Sequence, residues 1–125
     1  MNAQGSLLAQ LRPSGTSATL AFTSPPNVSG RGLQTEITLI AVCNTTGAPA
    51  SFSIYHHDTG TTYDQTTALY YGVALAANTT DLITIQSPNS GIMMRPGGKL
   101  AVQTSVANAL TFSIYGVTQQ RPIAQ

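Results

Sequence analysis

Two stretches of this chain, sixty positions apart, carry the same residues at the same spacing. Ala41-Val42 returns as Ala101-Val102, and Phe52-Ser53-Ile54-Tyr55 returns as Phe112-Ser113-Ile114-Tyr115, with no gap. Between the matched ends lie Thr45-Thr46-Gly47-Ala48-Pro49 in one copy and Ser105-Val106-Ala107-Asn108-Ala109 in the other. Two alternating apolar runs joined by about five residues containing Gly or Asn predict a β-hairpin. Folded about the loop centre, each hairpin sets Val42 against Phe52 and Ile40 against Ile54, then Val102 against Phe112 and Leu100 against Ile114. Strand side chains alternate sides, so each quartet shares one face. Ser51, Ser53 and Tyr55, and likewise Thr111, Ser113 and Tyr115, take the opposite face, where Ser53→Ala or Ser113→Ala is expected to be nearly silent. Two half-greasy hairpins bury their faces most economically against each other, as the layers of a sandwich.

The rest of the chain supplies further strands. The short apolar run 6–11 reads as an edge strand or an arm, and Arg12-Pro13-Ser14-Gly15 as a turn. A strand over Ala18–Phe22 ends at Ser24-Pro25-Pro26-Asn27, and Pro25 to Gly32 is a loop. A long strand Thr35–Asn44 precedes the first connection, and Ala50–His57 follows it. Asp58 to Thr66 is an exposed loop. Ala68–Ala76 is a strand with Leu69, Tyr71, Val73 and Leu75 on one side and Tyr70, Gly72 and Ala74 on the other. Ala77-Asn78-Thr79-Thr80 turns into Asp81–Gln86, and Ser87-Pro88-Asn89-Ser90-Gly91 into Ile92-Met93-Met94. Arg95-Pro96-Gly97-Gly98 leads to the second copy. The expected fold is all-β, an antiparallel, jelly-roll-like sandwich of about eight strands with an internal hairpin repeat. It is a single domain, with an arm, first strands and loop over 1–34, a sandwich core over 35–118 and a polar tail over 119–125.

Charge narrows the functional classes. Charged residues make up 7% of the 125, against about 25% in an average globular chain. A free monomer ordinarily keeps charge on its surface to stay dispersed, so this neutrality fits a surface that is covered in use, or a protein that is secreted or displayed. A net charge of +1 gives no pull toward nucleic acid or an anionic membrane. No stretch approaches the roughly 20 apolar residues of a membrane helix. Met1-Asn2-Ala3-Gln4 lacks a basic n-region and Leu7-Leu8-Ala9 is too short for an h-region, so no signal peptide is expected. The Asn-x-Ser/Thr sequons at Asn27, Asn44 and Asn78 read as Thr-rich turns.

No catalytic set emerges. His56 and His57 are neighbours on a strand and point to opposite faces, which disfavours shared metal ligation. The single cysteine, Cys43, has no disulfide partner and in the hairpin register lies near Ser51, several residues from either histidine. Gly97-Gly98-Lys99 lacks the spaced glycine and following hydroxyl residue of a phosphate loop. No metal, cofactor or catalytic residue is expected. Tyr55, Tyr63, Tyr70, Tyr71 and Tyr115 remain as candidates for sugar stacking, a protein interface or plain packing.

Three segments resemble small β-sandwich virion proteins of tailed bacteriophages: Thr35 to Gly47, Leu69 to Thr80, and Gly91-Ile92-Met93-Met94 through Leu100, Val102, Ser105 and Ala109. The likeness spans about Thr35 to Val117 and rests on strand and turn signatures. It implies a capsid decoration (cement) protein in the virion, made in the bacterial cytoplasm, that binds the major capsid protein as a dimeric or trimeric homo-oligomer. The alternatives are a head or neck fibre, a tail-associated protein, or a host-surface glycan-binding module centred on Tyr63. Leu7, Leu8 and Leu11 outside the repeat, Tyr63 in its loop, and Met93 and Met94, adjacent on one strand, are the expected assembly-interface residues.

Overall fold

A computed structural model of the chain describes residues 6–25, 31–84 and 92–122. The described residues are all-β: β1 Ser6–Leu11, β2 Thr19–Thr23, β3 Arg31–Asn44, β4 Ala50–His57, β5 Ala68–Leu75, β6 Thr80–Thr84, β7 Ile92–Met94, β8 Lys99–Thr104 and β9 Leu110–Pro122, with one short 3-10 turn at Gln65–Thr67. The turns expected at 26–30 and 87–91, the end of the strand at 85–86 and the last residues of the tail, 123–125, lie outside the described residues.

Two antiparallel sheets form. In the front sheet the order is β1-β9-β3-β6, with β7 also pairing β3, and in the back sheet it is β2-β8-β4-β5. Their inner faces share one core, making a sandwich-like fold. All eight residues assigned to the greasy faces are buried: Ile40, Val42, Phe52, Ile54, Leu100, Val102, Phe112 and Ile114 are each 1% exposed or less. Phe52 of the back sheet meets Phe112 of the front sheet edge-on, with ring centroids 6.1 Å apart and planes at 79°, a favoured aromatic geometry.

The hairpins do not form. β3 pairs β6, β7 and β9, whereas β4 pairs β5 and β8. Each repeat is instead an arch that leaves one sheet and enters the other, and the two arches interlock through the pairs β3–β9 and β8–β4. Val42 lies opposite Phe112 and Ile40 opposite Ile114. Ile54 lies opposite Val102 and Phe52 opposite Thr104. The second ladder is slipped by two residues relative to the first, which leaves every inward side chain inward.

The connections explain why arches are stable here. Asn44 and Thr104 occupy equivalent positions in the two copies, and each is 1% exposed. The Asn44 side-chain oxygen accepts from Thr46 N at 3.0 Å, and Thr104 Oγ1 accepts from Val106 N at 3.2 Å. These are side-chain-closed turns, the habit of Asn and Thr. Asn44 Nδ2 also donates to the Ala48 carbonyl at 2.9 Å and the Leu75 carbonyl at 3.3 Å, tying the first connection to β5. Thr45 N donates to Ala109 O at 3.0 Å, so the two connections brace one another.

Four local readings change. β3 begins at Arg31 rather than Thr35 and pairs with β9 as far as Pro122, so 119–122 is strand backbone rather than tail. β5 does not keep one set of side chains on one face. At Gly72, with φ +64°, the strand bulges, and the ladder jumps from Phe52–Val73 to Ile54–Tyr70. Tyr70, Val73 and Leu75 consequently face the core, while Leu69 and Tyr71 face out. A glycine in the left-handed region is the usual device for such a bulge. Cys43 lies opposite Thr111 and Thr80 in the front sheet, not near Ser51. Ser53 and Ser113 are buried, at 7% and 8% exposed, and both are bonded: Ser53 Oγ accepts from Gly72 N at 3.0 Å and Ser113 Oγ from Gln10 Nε2 at 2.7 Å.

Candidate functional site

The two outer faces differ in chemistry. On the front sheet, alternation and register turn Leu39, Ala41 and Cys43 of β3 outward, with Leu82 opposite Ala41 on β6 and Tyr115 opposite Leu39 on β9. Leu7 of β1 lies opposite Tyr115, and Met93 of β7 lies opposite Glu36. Leu82 is 60% exposed and Leu7 48%. Gln10, Thr80, Thr111 and Ser113 fill the rest of this face, and among its described side chains Glu36 alone is charged. Leu7, Leu39, Ala41, Leu82, Met93 and Tyr115 are thus the apolar side chains of this face.

The expected interface residues separate accordingly. Leu7 and Met93 share the front face. Of the two readings of 6–11, edge strand or arm, the edge strand is what forms: β1 is hydrogen-bonded to β9 at the end of the front sheet, and Leu8 and Leu11, expected at the assembly interface, pack against the core instead. Met94 is fully buried in the core, so the adjacent methionines do point to opposite sides. Tyr63 lies on the other side of the molecule.

The back sheet carries a groove. Ser51, Ser53 and Tyr55 of β4 and Gln103 of β8 form its floor, and the loop 58–67 folds over one end. One concavity of about 420 Å³ is lined by Tyr55, Tyr63, Asp64, Gln65, Thr66, Tyr71 and Gln103. A second, of about 230 Å³, runs on along Thr16, Ser51, Ser53, Tyr71, Gln103 and Ser105. Tyr71 and Gln103 line both. Tyr71 is 57% exposed, whereas Tyr55 is 2% exposed because Tyr63 covers it, with ring centroids 6.5 Å apart.

Each wall is fixed by bonds within the chain. The Tyr55 hydroxyl donates to Gln103 Oε1, and Gln103 Nε2 donates to the Thr16 carbonyl at 2.9 Å. Asp64 caps the 3-10 turn, accepting from Thr66 N at 2.8 Å. These Thr66 hydrogen bonds, first from the side chain and then from the backbone, hold the Asp64 carboxyl below the ordinary carboxylate range. Burial pushes the Tyr63 phenol up. The loop is anchored at its base, where His57 Nδ1 accepts from Thr62 N at 3.1 Å.

The histidine pair forms a polar cluster at the strand end. His56 Nε2 contacts Asp58 Oδ1 at 2.7 Å, with Arg95 Nε 3.8 Å from Asp58 Oδ2. No group of three metal-ligating side chains occurs among the described residues, nor is any helix there long and apolar enough to cross a membrane. Sequence reading found Tyr63 but missed the groove. Gln103, Tyr71 and the serines come together only through the β4–β8 pairing and the Gly72 bulge, and the hairpin register hid both. The comparisons bring no relative: no family model, curated protein or solved structure matches the chain.

Proposed function

We propose that this chain is a structural protein of a bacteriophage virion, a capsid decoration (cement) protein that binds the major capsid protein through the front sheet as a small homo-oligomer. The observation that carries the reading is the outer front face itself, where Leu7, Leu39, Ala41, Leu82, Met93 and Tyr115 gather with a single carboxylate, Glu36, among the described side chains. Apolar cores with little charge distinguish protein interfaces from ordinary surface. Repetition on a shell multiplies a modest contact. The strand orders add support at the level of architecture. With β7 set aside, the strands run β1-β9-β3-β6 in one sheet and β2-β8-β4-β5 in the other, an order that supports reading the sandwich as a jelly roll, an arrangement used by viral capsid and lectin domains. Fold alone does not assign function, so the face bears the argument. On this reading the protein is not an enzyme and needs no cofactor.

The test mixes purified protein with capsids assembled without it and images the particles. Density on the capsid lattice that disappears with a Leu7→Asp/Leu82→Asp double variant supports the cement role. Density only at the neck or tail moves the chain to the fibre or tail-associated class, and no association defeats the proposal.

A further inference from the structure

We infer that the groove on the back sheet is a binding site for a neutral oligosaccharide, with one sugar ring against Tyr71 and the next toward Tyr63. A pyranose presents a flat C–H surface and a rim of hydroxyls, each both donor and acceptor. The groove answers both features. Tyr71 offers a ring that is more than half exposed in the middle of the site. Around it lie Ser51, Ser53, Thr16, Thr66, Gln65, Gln103 and the ionised Asp64. Ser53 accepts from Gly72 N, and its own hydroxyl proton is not used in that bond.

Charge selects among ligands. The lining has one carboxylate and no Lys or Arg, so phosphates, nucleic acid and acidic sugars have no counter-charge there. A protein partner is a poorer fit, because its apolar surface would strip water from this many hydroxyls and amides without replacing the lost hydrogen bonds. A polyol returns a partner to each. The site is also largely built before the ligand arrives, since Gln103, Asp64 and Tyr55 are held by internal bonds, and preorganisation lowers the entropic cost of binding. The inference stands apart from the capsid role: it uses the opposite sheet.

The experiment screens the purified protein against an array of neutral bacterial and animal cell-surface oligosaccharides, then titrates hits by calorimetry and by NMR. The expected result is saturable binding that perturbs Tyr71, Tyr63 and Gln103. Tyr71→Ala should weaken it roughly tenfold or more, the equivalent of about 1.4 kcal/mol, with Tyr71→Phe, which keeps the ring, close to the parent. Leu82→Asp on the front face should bind sugar normally, so loss of capsid binding and loss of sugar binding are read separately. Absence of binding across the array overturns the inference. So does binding that survives Tyr71→Ala, and so does a groove whose signals shift with protein concentration alone, which would mean a second copy occupies it.

Discussion

The interlocked pairing of β3 with β9 has a direct chemical test, because the only cysteine of the chain sits in that ladder. Cys43 lies directly opposite Thr111, and both side chains are half-buried on the outer front face. Directly opposed residues of an antiparallel pair have Cα atoms about 4.5–5.5 Å apart, inside the roughly 4.4–6.8 Å that a disulfide spans. Thr111→Cys should therefore oxidise to a bond with Cys43. Ser51→Cys, the partner position of a β3–β4 hairpin, should not, because residue 51 lies on the other sheet.

The expected stabilisation follows from the loop that the bond closes. Residues 43 to 111 bound a loop of about 70 residues, and the chain-entropy relation gives roughly 4 kcal/mol for that length. Native strain commonly removes part of it, leaving about 2–4 kcal/mol, or roughly 10 °C in Tm for a domain of this size. The assay is a non-reducing gel and thiol count after mild oxidation, followed by melts with and without reductant. A bond at Ser51→Cys with none at Thr111→Cys would refute the arch topology. A bond at Thr111→Cys that leaves the melt unchanged would refute the entropy argument while leaving the register intact.

Phe52→Ala and Phe112→Ala should each cost about 3–5 kcal/mol by chemical denaturation, and the double variant should fall short of their sum by about 0.5–1.5 kcal/mol, because the rings touch across the sheets; strict additivity would deny that contact. Ser53→Ala should cost about 0.5–1.5 kcal/mol, since it removes the side-chain acceptor of the Gly72 N–H at the bulge; a silent substitution would restore the simple outward-facing serine. Deleting residues 1–12 should lower the melt, because Leu8, Ala9 and Leu11 pack on the core from β1; an unchanged melt would make that segment the free arm. Asp64 should titrate below the ordinary carboxylate range by NMR, and Thr66→Val should raise it toward that range. Because the folded value is depressed, the cap's contribution is present above the unfolded value and lost as pH falls through the folded one; a Thr66→Val titration identical to the parent would assign the shift elsewhere.

How much of this was legible in the residues depends on which physical signal each feature leaves. Burial is a question of parity along one strand. Ile40, Val42, Phe52 and Ile54 recur at every second position, mostly between polar or small neighbours, and their counterparts at Leu100, Val102, Phe112 and Ile114 do the same, so the inner face follows from period two whatever strand lies alongside. Partnership is a different question. A hairpin and an arch turn the same side chains inward, one from a single sheet and the other from two, and a five-residue connection closes either. The feature that separates them is buried turn chemistry at matched positions, Asn44 and Thr104, which the repeat contained but which reads as ordinary loop polarity until its burial is known.

The candidate sites divide along the same line. Met93 and Leu7 were recoverable because each needs only local parity to face outward. Leu8 and Leu11 were not, because their burial depends on β1 finding β9 about a hundred residues later. The groove was the least legible. Its floor needs β4 beside β8, and its exposed ring needs the Gly72 bulge to reverse the parity of β5. Without that reversal Tyr71 points into the core with Val73 and Leu75, as strict alternation requires. One glycine with a positive φ thus moves an aromatic ring from the core to the surface, and removing it has a defined consequence. Gly72→Val disfavours the left-handed conformation, a cost of roughly 1–2 kcal/mol or more for a β-branched residue. It should lower the melt and withdraw Tyr71 from solvent, which the solvent accessibility of the Tyr71 ring by NMR would reveal. A folded Gly72→Val protein whose Tyr71 stays exposed would show that the ring's position is set by the groove rather than by the bulge.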